Sequence, residues 1–141
     1  MFKGMVEHQL DDKNRLRIPS KFKKELTGEH GERPYCFFRG AAGCIYVMAE
    51  DELDRTLEPI SQPGLSESSK GAKMIFSSIH QAEEDAQGRV VLPSILKRLA
   101  GIKKEIITIG QGNRLEIWSA ERYYDYIADV DFDEELREMG I

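Results

Sequence analysis

Apolar and polar positions along this chain change period every few residues, and the changes mark out short elements. Residues 5–10 predict a first strand, and residues 15–18 alternate cleanly, with Leu16 and Ile18 inward and Arg15 and Arg17 outward. Phe22 and Leu26, four apart, predict one or two helical turns over residues 21–26 before a polar, Gly-containing loop at 27–34. The apolar runs 35–38 and 44–48, joined by a turn at 40–43, predict a hairpin. Residues 49–57 predict a helix that is acidic outside and has Leu53 and Leu57 inside. A Ser-, Pro- and Gly-rich stretch at 61–69 is the natural linker. Beyond it, Met74, Ile75 and Ile79 predict a helix over 70–79, and 80–84 stands where 6–10 stood. A strand at 89–92 precedes a helix at 94–100 closed by Gly101; strands at 106–109 and 115–118 enclose a turn at 110–113. Ser119 is placed to cap a last helix carrying Tyr123, Tyr124, Tyr126 and Ile127.

The pattern repeats because the sequence does. Asp11-Asp12-Lys13-Asn14-Arg15-Leu16-Arg17-Ile18-Pro19-Ser20 recurs as Asp85-Ala86-Gln87-Gly88-Arg89-Val90-Val91-Leu92-Pro93-Ser94. The offset holds further: Phe22 matches Leu96, Lys23 matches Lys97 and Lys24 matches Arg98. A fixed offset over such a span marks a duplicated unit. Asn14 and Gly88 occupy one place, and both residue types tolerate a left-handed backbone. Asp11 and Asp85 are placed to accept backbone N–H groups two residues on, which closes a tight turn. Pro19 and Pro93 stop each strand, and Ser20 and Ser94 are expected to N-cap the helix that follows. Gly110 aligns with Gly40 at an offset four residues smaller, assigned to the longer loop 27–34.

A chain of 141 residues supports one core, here of two halves. It has no apolar run of membrane-spanning length and no signal-peptide core near Met1, so a cytoplasmic location is expected. Cys36 and Cys44 read as buried thiols of a reducing compartment, and His8, His30 and His80 are scattered, so no metal site is expected. The formal net charge of -5 is concentrated: residues 129–138 hold six acids against one base, Arg137, leaving the body about neutral. Lys13, Arg15, Arg17, Lys21, Lys23 and Lys24 form a basic block with no intervening acid, echoed by Arg89, Lys97, Arg98, Lys103 and Lys104. Such a block is either a solvated face or a patch for an anionic partner. The pair Gly40 and Gly43 lacks the Lys-Ser/Thr ending of a phosphate loop. No nucleophile–base set or paired acids stand at a catalytic spacing, so an enzyme is not expected and no cofactor is called for.

The doubled turn, Asp-x-Lys-(Gly/Asn)-Arg followed by an aliphatic residue, Pro and Ser, resembles the MraZ family, bacterial regulators within the wider AbrB/MazE-like group. The resemblance runs from Met1-Phe2-Lys3-Gly4 to Ile117-Trp118-Ser119. It implies a mostly β, α+β fold with short helices: a pseudo-twofold swapped-hairpin β-barrel built from two tandem AbrB-like repeats. The corresponding division is a first repeat at 1–60, a linker and start of a connecting helix at 61–73, a second repeat at 74–128 and an acidic tail at 129–141.

The same resemblance implies a cytoplasmic, nucleoid-associated homo-oligomer, a ring, that binds tandem repeats in promoter double-stranded DNA and represses its own division and cell-wall gene cluster. No membrane or small-molecule substrate is implied. The family motif falls on Asp11, Lys13 and Arg15, and on Asp85 and Arg89; Asn14 replaces the usual Gly, and Gln87 stands where the second Lys would be. Arg15 and Arg89 then have two roles open to them, contact with DNA or an ion pair with the turn aspartate. Lys13, Arg17, Lys21, Lys23 and Lys24 are assigned to phosphate. Asp11, Asn14, Asp85 and Gly88 form the turns. The alternative function is an antitoxin-like or scaffold barrel acting through the acidic tail and the aromatic last helix. The tail itself is expected either to be disordered or to compete with DNA for the basic block.

Overall fold

The computed structural model describes residues 1–64 and 69–141. Its strands are β1 (Phe2–Gln9), β2 (Arg15–Arg17), β3 (Tyr35–Arg39), β4 (Ile45–Ala49), β5 (His80–Gln81), β6 (Arg89–Val91), β7 (Glu105–Gly112) and β8 (Leu115–Ser119). Six described α-helices accompany them: α1 (Ser20–Thr27), α2 (Glu50–Leu57), α3 (Lys70–Ser78), α4 (Ser94–Leu99), α5 (Ala120–Ile127) and α6 (Phe132–Glu138). The fold is thus α+β, with antiparallel pairing throughout the described strands. Part of the linker expected at 61–69 lies outside the described residues. Ser69 accepts a hydrogen bond from the Ala72 N–H and caps α3.

The two halves are interlocked by exchanged strands. β1, from the first half, pairs along its whole length with β7 of the second, and β5 of the second pairs with β3 of the first. The larger sheet runs β1-β7-β8-β4-β3-β5, and β2 with β6 makes a separate two-stranded ribbon. Two registers locate a pseudo-twofold axis. Leu16 faces Val90 at the centre of the ribbon, and Tyr46 faces Glu116 at the centre of the β4–β8 pair. These ladders by themselves do not close a barrel, since β1 and β5 stand at the two ends of the strand order.

The core lies on the axis and draws matching residues from each repeat: Leu16 with Val90, Ile18 with Leu92, Phe22 with Leu96, and Leu26 with Ala100. Each fully buried aliphatic or aromatic side chain there contributes roughly 2 kcal/mol. A second cluster sits on the outer face of the first hairpin, where Leu53 and Leu57 of α2 and Ile75 of α3 meet Cys36, Phe38 and Met48. Cys36 and Cys44 are free, buried thiols. No described helix is long and apolar enough to cross a membrane.

Four expectations change. Ser20 and Ser94 do not cap their helices: each is the first helical residue, and the prolines before them hold the cap position. Pro19 suits that place because its φ is already fixed near −53° and its carbonyl accepts from Phe22 and Lys23. The strand expected at 80–84 shrinks to two residues: β3 begins at Tyr35, whose carbonyl accepts the Ala82 N–H at 2.9 Å, and Glu84 bridges to Val90 of β6 instead.

Gly110 is equivalent to Arg39, not to Gly40. Arg39 pairs with Ile45 and Gly110 with Leu115, so five residues separate the first pair and four the second. The first hairpin therefore holds one of the additional residues that the sequence placed wholly in loop 27–34. Finally, the tail folds into α6 from Phe132. Asp131 caps it, and Asp133, Glu134 and Glu135 lie in its first turn, where the helix dipole favours negative charge.

Candidate nucleic-acid interface

The two motif turns fold alike. Asp11 Oδ1 accepts the N–H groups of Lys13 at 2.9 Å and Arg15 at 2.8 Å; Asp85 Oδ1 accepts those of Gln87 and Arg89, both at 2.9 Å. Asn14 takes φ +58° and Gly88 φ +77°, the left-handed backbone both turns require. Partial desolvation pushes the Asp11 carboxyl up, but the N–H and guanidinium of Arg15 and the N–H of Lys13 outweigh it and hold its pKa at about 2. Asp85 is lowered as well, chiefly by the Arg89 N–H. Both aspartates are therefore ionised acceptors that shape the backbone.

Each turn delivers a strand to the ribbon. Leu16 and Val90 point into the core, so Arg15, Arg17, Arg89 and Val91 share the outer face, with Arg15 opposite Val91 and Arg17 opposite Arg89. Arg15 donates from Nε to Asp11 Oδ2 at 2.7 Å and sets Nη1 3.9 Å from Asp85. Arg89 makes the matching Nε bond to Asp85 at 2.9 Å. The ion pair that braces the turn is thus present in both copies, and in the first copy it reaches across to the second.

The structure divides the expected phosphate-binding set. Lys13, at the tip of the first turn, is exposed and has no carboxylate partner among the described residues. Arg17 is exposed and donates to the Gln87 carbonyl at 3.0 Å. Lys21 lies 5.4 Å over the Phe22 ring. These three cations are available to a partner. Lys23 is not: it pairs with Glu84, which also accepts the Tyr35 hydroxyl at 2.6 Å. Burial, reinforced by Glu84, pushes the Tyr35 hydroxyl pKa up. Lys24 forms a surface pair with Glu29 at 3.3 Å.

Sequence reasoning missed Glu84 as the acid that withdraws Lys23. Its signal was visible, because Glu84 stands where the first copy has the buried Leu10. Val91, 59 % exposed on the ribbon face in place of a second Arg17, was missed too. Among the described residues no group of three or more His, Cys, Asp or Glu is placed to hold a metal ion.

Comparison with known proteins gives the family. A family model described as "MraZ protein, putative antitoxin-like" matches residues 1–73 and 75–139. A relative named Transcriptional regulator MraZ, from Clostridium acetobutylicum, is 38% identical over 147 residues that cover 100% of both chains. Its namesake from Lactobacillus gasseri is 39% identical over 89% of this chain and 86% of its own. That from Saccharopolyspora erythraea is 33% identical over 94% and 91%. With the doubled turn, the exchanged strands and a match along nearly its whole length, the chain belongs to the MraZ family.

Proposed function

We propose that this protein is a sequence-specific DNA-binding transcriptional regulator without enzymatic activity. One observation carries the reading: two distant copies of the same turn meet antiparallel in one ribbon whose outer face presents Arg15, Arg17 and Arg89, with Lys13 at its tip. A two-stranded ribbon fits the major groove of B-form DNA, where arginine pairs with guanine O6 and N7. The aspartate bonds fix the Nε edge of Arg15 and Arg89 and so orient the rest of each guanidinium. Lys13, Arg17 and Lys21 supply phosphate contacts that set affinity and salt dependence. The names of the relatives support the regulatory role.

In its finer form the proposal is a swapped-hairpin barrel that assembles into a homo-oligomeric ring in the cytoplasm, on the nucleoid. The ring binds tandem promoter repeats and represses its own division and cell-wall gene cluster. One ribbon is a modest basic patch, and linking several raises affinity through effective concentration.

Fluorescence anisotropy with DNA from upstream of the protein's own gene tests the proposal, with a scrambled duplex and Arg15→Ala as controls at two salt concentrations. Tight, salt-sensitive binding to the native duplex, lost in Arg15→Ala, is expected. Equal weak binding to both duplexes would leave a basic surface without readout and defeat the claim of specificity.

A second reading, an antitoxin-like interaction module, draws on the exposed Tyr126 and Phe132 of the C-terminal helices and Met139 just beyond them. Truncation after Tyr126 that releases a co-purifying protein while DNA binding stays intact would favour it.

A further inference from the structure

The outer face of the first half contains an apolar groove of about 510 Å³, lined by Phe38, Met48, Leu57, Ile60, Met74 and Ile75. Its polar lining comes from Arg39, Thr56, Asn113 and Arg114, and among the described residues no carboxylate lines it. Arg114 stacks 4.2 Å over the Tyr46 ring and pairs with Glu116. The exposed Arg39 guanidinium has no ion pair among the described residues. One wall is α3, which lines it with Gly71, Met74 and Ile75 and carries no acid. The groove is therefore apolar at its floor, with the Arg39 cation at its edge.

The chain contains one segment with the opposite character. On α6 and the residue beyond it, Phe132, Leu136 and Met139 recur at helical spacing on one face, flanked by Asp133 and Glu135, with Glu134 and Glu138 on the opposite face. Phe132 is 65 % and Met139 60 % exposed, and Leu136 between them is half-buried. The only base, Arg137, is spent on Glu134 at 2.7 Å. None of residues 130–141 lines the groove of their own chain.

We infer that the groove receives α6 of a second copy of this chain. Phe132, Leu136 and Met139 fill the apolar floor, and Asp133 and Glu135 face Arg39. Groove and helix are different surfaces, so the contact is head-to-tail, and a head-to-tail contact of suitable rotation closes into a ring. The inference rests on the homo-oligomer reading above and names the surface that builds it.

Complementation of two monomeric variants tests it. Phe132→Asp removes the helix stripe, and Met74→Asp spoils the groove; both positions are exposed, and circular dichroism with thermal melting verifies that each variant is folded. Mass photometry of the wild type is expected to show an oligomer, and of each variant alone a monomer. An equimolar mixture is expected to give dimers and nothing larger, because only one intact groove and one intact helix can meet. Variants that keep the wild-type size would overturn the inference while leaving the ring itself standing. A mixture that stays monomeric beside an assembled wild type would assign the groove to another occupant and also overturn it. A wild type that is monomeric at every concentration would remove both the ring and this contact.

Discussion

Arg17 and Arg89 stand directly opposite each other across the β2–β6 ribbon, two like charges on one outer face. Each turns to a different acceptor, Arg17 to the Gln87 carbonyl and Arg89 to Asp85. Opposed like charges in a sheet are destabilising, so the face is costly to the isolated protein and suited to an anionic partner. Arg17→Thr is expected to raise stability by about 0.5 kcal/mol in urea unfolding and to weaken binding to native and scrambled duplexes alike. A loss of stability would mean that the pair is held by something other than a bound partner.

Gly110 is fixed by the strand exchange. A Cβ there would sit 2.5 Å from the Lys3 nitrogen and 2.7 Å from the Phe2 carbonyl carbon, both main-chain atoms of β1. Gly110→Ala is expected to cost about 2 kcal/mol through backbone displacement. Gly71→Ala, inside α3 and without a close main-chain neighbour, is expected to be neutral or stabilising by up to about 1 kcal/mol. Equal effects in denaturant titrations would show that β1 yields easily.

The turn aspartates set an acid limb. Because the folded pKa of Asp11 lies below its ordinary value of 3.8, folding favours the ionised form. That stabilisation is complete above the ordinary value and disappears as pH falls through about 2. Asp85 acts in the same direction. Urea midpoints measured from pH 5 down to pH 2 are expected to fall less steeply in Asp11→Asn than in the wild type. Parallel curves would refute a role for this carboxylate in the acid limb.

Burial, with Glu50 and Asp54 nearby, pushes the Cys36 thiol up to about 11, and burial with Glu116 pushes Cys44 up to about 12. Reaction goes through the thiolate. Iodoacetamide at pH 8 is therefore expected to label neither cysteine in the native protein and both in urea, as read by intact mass. Rapid native labelling would reveal an opening of the β3–β4 hairpin.

What could be read from sequence was local. Asp11, Asn14, Asp85 and Gly88 declared their turns because the bonds that form them span four residues or fewer. The helix faces of Phe22 and Leu26 were equally plain. The misses depended on the other half of the molecule. Lys23 looked free until Glu84 arrived from the second repeat, and Gly110 was matched to the wrong residue because its constraint is the β1 backbone. The shortness of β5 followed from β3 beginning at Tyr35 and from Glu84 bridging to Val90, which no periodicity records. The tail's acidity pointed to disorder, whereas its position around Asp131 made a capped helix.

The exchange of β1 and β5 also sets the order of events as the chain is made. Phe2 pairs with Gly112, about 110 residues later. At roughly 5–20 residues per second, β1 waits on the order of ten seconds for its partner after leaving the ribosome. A fragment of residues 1–60 lacks β5, β6, β7 and β8, and is expected to show no cooperative unfolding by circular dichroism. The newborn first half therefore carries an unpaired edge into a crowded cell, and the duplication that gives the protein its symmetry also makes its birth a time of exposure.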